Sequence, residues 1–257
     1  MENFFRFNRP LIEGVVVDHP NRFIMNVRIG KEIFMCHSPT TGKIGSIKMD
    51  GRPVLLSESL NPNRKTRYTV EAFSYNRPED PKKVWIGINQ GASNRYVGYF
   101  ILKGAMPDMI SFPENLQSEK TIGHSRLDFV SDNVYLEIKT PIRIIEKKIP
   151  DYIEILPKSS AYGGDRLVKH TTELANYAEL MKMRAIMLTC FQYRRDPDSP
   201  YHYDGGAEDL VEYKDVNPIV TAFEHAESAG VESWFVEMSI HPEGVALEKY
   251  GRIESKV

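Results

Sequence analysis

Between Gly14 and Tyr75 the apolar residues come only in short runs, none long enough to make a helix of ordinary length. The runs are Gly14–Asp18, Arg22–Ile29, Ile33–Cys36, Val54–Leu56 and Tyr68–Tyr75. The second alternates in part, placing Phe23, Met25, Val27 and Ile29 on one side of an extended chain. Gly30, Thr41-Gly42 and Asp50-Gly51 punctuate the series as turns. About five short strands in so little chain predict a small closed barrel of the OB type.

After this stretch the rhythm changes. Asn76–Lys83 holds Pro78 and Pro81 among charges and reads as a boundary, giving a barrel over 1–80 and a second domain over 81–257. Beyond it helix and strand alternate. Ala92–Leu102, Gly164–Lys182 and Asn217–Ala229 are predicted helices, the last closed by Gly230. Arg126–Val130, Val134–Lys139, Ala185–Phe191 and Val231–Ser239 are predicted strands. Such an order implies an α/β domain with a mixed sheet, so the expected class is α+β or mixed. Arg194–Gly206 is polar and rich in Tyr, Pro, Asp and Gly, and reads as a long loop.

Several function classes recede on composition. Two cysteines, Cys36 and Cys190, are too few for a disulfide framework, and no CxxC spacing points to zinc. Met1 to Gly14 contains no apolar leader core, and the apolar run around Ala185–Leu188 is too short to span a bilayer. A cytoplasmic protein without a membrane partner is the expectation. Cys36-His37 lacks further ligands for a metal, and His202 and His241 are isolated.

The sharpest chemical signal is Leu127-Asp128-Phe129-Val130 followed by Leu136-Glu137-Ile138-Lys139. Alternation on a strand points Glu137 and Lys139 the same way. If Asp132-Asn133 is a two-residue hairpin turn, Asp128 falls opposite Glu137 and all three share a face. Two carboxylates suit a hard divalent cation, Mg²⁺ or Mn²⁺, with the Ile138 carbonyl as a further oxygen ligand. Lys139 is then placed to orient water or stabilise charge on a phosphate. An exposed Glu–Lys ladder is the plain alternative, but the flanking Phe129, Val130, Leu136 and Ile138 predict burial, where idle carboxylates are costly. On the predicted helix Gly164–Lys182, Arg166, Lys169, His170 and Glu173 share one face, with Leu174, Ala178 and Met181 beside it as an apolar stripe. They read as either a solvated face or a phosphate-contacting one.

Charge is segregated as well. Arg22, Arg28, Lys31, Lys43, Lys48, Arg52, Arg64, Lys65 and Arg67 stand against Glu32, Asp50 and Glu58 in one window, in a chain whose net charge is −2. Basic residues beside Phe23, Phe34 and Tyr68 are what a barrel tracking a nucleic-acid strand needs, although Phe34 also suits the core.

Taken together, these motifs resemble the sugar fermentation stimulation protein A (SfsA) family over nearly the whole length. The resemblance rests on Arg22-Phe23, His37-Ser38-Pro39-Thr40-Thr41-Gly42, Asn63-Arg64-Lys65 and Thr69-Val70-Glu71 in the first domain. In the second it rests on Asn89, Asn94-Arg95, Ser125-Arg126-Leu127-Asp128-Phe129, Tyr135-Leu136-Glu137-Ile138-Lys139, Asp165-Arg166, Lys169-His170, Glu173-Leu174, Ala229-Gly230-Val231-Glu232 and Pro242-Glu243-Gly244. It implies an OB-like domain followed by a PD-(D/E)xK nuclease fold, DNA as partner, and a name taken from effects on sugar use. It implies Asp128, Glu137 and Lys139 as metal and catalytic positions, and functional roles for Arg126, Lys169 and His170.

The chain departs from the family pattern in places. Ser38 and Thr40 stand where the family has Cys and Asn, and Thr140-Pro141 follows the acid-x-Lys where Ser is usual. Pro141 cannot continue a ladder, so the strand should end there. Tyr99 stands near the place of a helix Glu, which leaves the extra acid of a two-metal site to a substitute such as Glu119. Three readings follow: a DNA-binding protein, an active Mg²⁺-dependent nuclease, and a sugar-metabolism regulator built on an inactive nuclease fold. The residues expected to touch nucleic acid are Arg22, Lys43, Arg64, Lys65, Arg67, Asn94, Arg95, Arg126, Arg166, Lys169 and His170.

Overall fold

Alternating apolar residues close the first part of the chain on itself. In the computed structural model, which describes residues 3–40, 44–111, 113, 115–122, 125–131, 133–157, 165–197 and 217–253, five strands make the barrel: β2 (Ile12–Asn21), β3 (Ile24–Ile29), β4 (Glu32–His37), β5 (Pro53–Glu58) and β6 (Tyr68–Ser74). They pair in the order β4-β3-β2-β5-β6, and β4 returns to β6 in parallel at Cys36↔Tyr68 and His37↔Thr69. Val16, Met25, Val27, Cys36, Val54, Leu56, Val70 and Phe73 fill the interior. Phe23, expected on the inner side, lies in the β2–β3 turn and is 46% exposed. A short strand β1 (Phe4–Arg6) precedes the barrel.

The sheet then continues rather than stopping. β7 (Trp85–Gly87) pairs with β6 and with β12 (Glu232–His241), both antiparallel. The division expected near residue 80 falls in the loop between β6 and β7, where Ser74 Oγ donates to the Val84 carbonyl at 2.7 Å and Arg77 N–H to Asp80 at 2.8 Å. Past β12 the order runs β11 (Arg184–Phe191), β10 (Val134–Lys139), β9 (Ser125–Val130) and β8 (Gln117–Ile122). β13 (Gly244–Arg252) flanks β12 and carries β1 on its other side.

β10, β11 and β12 are parallel to one another, as crossover helices require. Those helices are α2 (Asp165–Met181) and α3 (Asn217–Ser228), with Gly230 at φ 79° just past α3. On the other face lies α1 (Gln90–Leu102). A parallel strand covered on both sides has no polar face, and every residue from Ala185 to Phe191 is buried. Tyr96, Val97, Phe100 and Ile101 of α1 pack on Phe129, Leu136, Leu188 and Val236. Leu174, Ala175 and Ala178 of α2 pack on Leu127, Tyr135 and Met187. Met181, expected in that stripe, is 55% exposed because it lies in the final turn.

Residues 141–157 cross back over the barrel. Gly45 N–H donates to Ile142 at 2.8 Å, Leu156 N–H to Ser46 at 2.8 Å, and Ile145 and Ile153 enter the barrel's apolar cluster. No helix among the described residues is long and apolar enough to cross a membrane.

Candidate metal centre and nucleic-acid interface

The β9–β10 hairpin sets the register of the acids. Ser131 N–H donates to the Val134 carbonyl at 3.0 Å, and the next rungs are Val130↔Tyr135 and Phe129↔Leu136; Asp132 of the expected turn lies outside the described residues. Extended by one residue, that register brings Asp128 beside Glu137, past the last paired rung. There the ladder gives way to a side chain: Ile138 N–H donates to Asp128 Oδ2 at 2.7 Å. β10 ends at Lys139, before Pro141.

Each acid is held differently. Glu137 is 3% exposed, and its Oε1 receives Lys139 Nζ and meets His170 Nδ1 of α2, both at 2.5 Å. Lys139 Nζ and His170 Nδ1 are 3.3 Å apart. Glu137 Oε2 is buried with no hydrogen-bond partner among the described residues. Burial is the largest influence on the Glu137 carboxyl and pushes it up. The His170 hydrogen bond and the Lys139 charge outweigh it, and the net direction is down. Asp128 is raised, first by burial and next by the charge of Glu137, against the pull of Ile138 N–H, Asn94 and Lys139. The two carboxylates therefore feel one another.

Helix α1 holds the other side of this pocket. Asn94 Nδ2 donates to Asp128 Oδ1 at 2.7 Å. That contact depends on Gly98, where a Cβ would come within 2.8 Å of Phe129 Cζ, so only glycine lets the helix lie this close to β9. Gln90 Nε2 donates to the Thr140 carbonyl at 2.9 Å, and the Ser93 and Thr140 hydroxyls are 2.7 Å apart. Gln192 Nε2 bridges the Asn89 carbonyl and Ser93 Oγ at 2.7 and 2.8 Å. Asn89 Nδ2 in turn donates to Glu71 Oε2 at 2.7 Å, and Ser57 Oγ to Glu71 Oε1 at 2.5 Å. A continuous run of polar contacts thus joins barrel strand β6 to the end of β10 beside Lys139. Ser93, Gln90 and Gln192 carried no signal that sequence reading used. Glu71 did carry one, being the single acid in the apolar strand Tyr68–Ser74.

The remaining expected residues scatter. Tyr99 is not at this pocket. Its hydroxyl donates to the Phe4 carbonyl at 3.2 Å and its ring packs on Phe5, so the α1 residue that meets Asp128 is Asn94. Glu119, the substitute acid, pairs with Arg126 across β8 and β9. Arg95 is packed against Phe5 and Tyr96 and donates to the Tyr96 hydroxyl at 3.3 Å. Lys169 is exposed, 3.9 Å from Glu173. Lys43 lies outside the described residues, as do the side chain of Arg166 and His202.

Barrel cations gather by register. His37 pairs with Ile24 on one side and Thr69 on the other, so the β2–β3 turn bearing Arg22 and the loop entering β6 flank the end of β4. Arg22 lies over Phe23 at 4.5 Å. Arg64 and Lys65 are exposed without an ion pair among the described residues. Arg67 is committed to Glu58 at 2.7 Å and lies over Tyr68.

Does this pocket suit a divalent cation? Among the described residues no group of three or more His, Cys, Asp and Glu is arranged to hold one. Two carboxylates with one unpartnered buried oxygen do fit an ion that takes much of its shell from water and phosphate.

Comparison with known proteins places the chain. Residues 17–88 match the family model described as the SfsA N-terminal OB domain. A sugar fermentation stimulation protein homolog from Marinomonas sp. (strain MWYL1) is 30% identical over 194 residues, 73% of this chain and 70% of that one. The homolog from Pseudoalteromonas atlantica (strain T6c / ATCC BAA-1087) is 28% identical, covering 95% and 97%. A further homolog from Synechococcus sp. (strain JA-2-3B'a(2-13)) is 34% identical, but the match spans only 52% of this chain and 56% of that one. In fold, the chain is similar to Pyrococcus furiosus SfsA in complex with Ca²⁺, at a TM-score of 0.67 and 20% identity over all of both chains. With the OB barrel, the mixed sheet and these relatives in view, the chain belongs to the sugar fermentation stimulation protein (SfsA) family.

Proposed function

We propose that this protein binds DNA along its barrel and cuts phosphodiester bonds at a divalent-cation site made by Asp128 and Glu137. One observation carries the reading. Glu137 sits almost fully buried with one oxygen gripped by Lys139 and His170 and the other left without a partner. A buried carboxylate oxygen with nothing to accept from is costly unless a ligand completes it.

Asp128 and Glu137 would hold Mg²⁺ or Mn²⁺, with the Ile138 carbonyl available as a third oxygen. Bound there, such an ion supplies Lewis acidity toward a phosphoryl oxygen and lowers the pKa of its water. His170 and then Lys139 hold the Glu137 carboxyl down against its burial, and Lys139 offers a cation beside the place where a phosphate gains charge. His170 fixes the same oxygen from α2, so a helix and a strand set the geometry together. The Ca²⁺ bound to Pyrococcus furiosus SfsA is an ion of the same oxygen-seeking class. Exposed Arg22, Arg64 and Lys65 supply backbone contacts without base reading.

The test is incubation of purified protein with single- and double-stranded DNA and RNA in Mg²⁺ or Mn²⁺. Cleavage by wild type that Glu137→Ala abolishes supports the proposal, and cleavage that survives the substitution rejects it. Asn94 favours a second reading, a DNA-binding scaffold without turnover, because α1 brings an amide rather than an acid to Asp128. DNA binding by wild type with no heat of Mn²⁺ binding in calorimetry selects that reading.

A further inference from the structure

Away from the carboxylate pocket, two arginines from different parts of the chain converge on one tyrosine. Arg77, in the loop between β6 and β7, has its guanidinium 4.6 Å from the ring centroid of Tyr152. Arg52, just before β5, approaches the same ring at 5.5 Å. Their guanidinium carbons are thus no more than about 10 Å apart, about one Debye length at ordinary salt, so each feels the other's charge. Neither forms an ion pair among the described residues. Asp80, an acid three residues from Arg77, is already taken by the Arg77 main-chain N–H at 2.8 Å and by Asn76.

The group is anchored. Tyr152 donates its hydroxyl to the Tyr75 carbonyl at 2.6 Å, and Arg52 Nη1 reaches that carbonyl at 3.3 Å. Tyr152 is nonetheless 45% exposed, and Arg77 is exposed. Two arginines without a salt bridge among the described residues, held against an accessible aromatic ring, leave guanidinium N–H groups to offer an anion. The site stands at the opposite ends of β5 and β6 from Arg64, Lys65 and Arg67.

We propose that Arg52, Arg77 and Tyr152 form a second phosphate-binding station, which takes the phosphodiester backbone of a single strand already held at the Arg64–Lys65 end of the barrel. The idea rests on the nucleic-acid reading above. A strand serving both stations must run the length of β5, so the second station engages only long ligands. Free phosphate shares the chemistry and is the competing source.

Binding of fluorescent oligothymidylates of about 3 and about 30 nucleotides, across a salt series, tests this in wild type, Arg77→Ala and Arg52→Ala/Arg77→Ala. The expected result is a salt slope for the long oligomer reduced by about one in the single variant and about two in the double, with the short oligomer unaffected. Thermal melting of Arg77→Ala should match wild type, which separates lost contact from lost fold. If wild type binds the long oligomer and both variants match its slope, the station is refuted while the barrel reading survives. If wild type binds no oligomer, both fall. Saturable binding of inorganic phosphate that Arg77→Ala removes, with oligomer binding unchanged, identifies a small-anion site and overturns the strand-tracking proposal.

Discussion

The barrel and the β9–β10–α2 pocket both gather charge, but they treat it in opposite ways. In the barrel, Arg22, Arg64 and Lys65 stand in loops where water pays their solvation, and their positions depend on turns more than on packing. In the pocket, Glu137 is 3% exposed and fixed by two partners on one oxygen. Exposed cations cost the fold little and bind loosely by field. A buried carboxylate costs the fold and can be placed to within the tolerance of chemistry. On the function proposed above, the contrast divides the labour: the barrel would govern whether a polyanion stays, the pocket what happens to it.

The sharpest way to break that contrast is Glu137→Gln. It keeps the shape and removes the charge, and divalent-cation affinity should fall at least about 100-fold by calorimetry, beyond what loss of an outer partner costs. Unchanged affinity would show that the buried acid is structural. Next in size is Gly98→Ala, which pushes a Cβ into the Phe129 ring. Overpacking of this kind costs about 1–3 kcal/mol, read as a melting temperature lower by about 2–4 °C per kcal/mol. Weaker cation binding should accompany it, because Asn94 moves with α1.

A smaller effect comes from the barrel. Arg64→Ala with Lys65→Ala should reduce the salt slope of DNA binding by about two. Arg67→Ala should change it less, since Glu58 already holds that guanidinium. Equal losses would erase the distinction between free and committed cations. The smallest effect is a gain. Asp128 is raised by burial and by Glu137, so its ionised form destabilises the folded state at neutral pH. In metal-free protein, Asp128→Asn should raise the melting temperature at neutral pH, with the Asn94 amide turning its oxygen to the new side-chain N–H. Because the folded pKa is the higher one, the gain should fade as pH falls through it and vanish below the ordinary aspartate range. A gain that grows on acidification would contradict the assignment.

Much of this could be read from sequence because the signals were local. The expected two-residue turn was enough to bring Asp128 to the neighbourhood of Glu137, and Pro141 marked where β10 stops. Short apolar runs between turn residues found the five barrel strands, and helical spacing found α2. What escaped depends on distant partners. β8 reads Gln-Ser-Glu-Lys-Thr-Ile, with no apolar face, because it is an edge strand held by β9 alone. β7 is only three residues long, and β1 is a strand only because β13 lies beside it. The helix acid expected near Tyr99 failed for a related reason. Which α1 residue meets Asp128 is set by how closely the helix approaches at Gly98, and spacing along the chain does not encode that distance.

The pairing of β1 with β13 bears on how the molecule is made. Phe4, Phe5 and Arg6 pair with Ala246, Val245 and Gly244, so β1 cannot take its place until β13 has been made. During translation the barrel strands are made well before β13, whereas Phe4–Arg6 stay without their sheet partner until residues 244–246 have been synthesised. A nascent chain stalled short of residue 244 would therefore carry the barrel strands with β1 still unpaired.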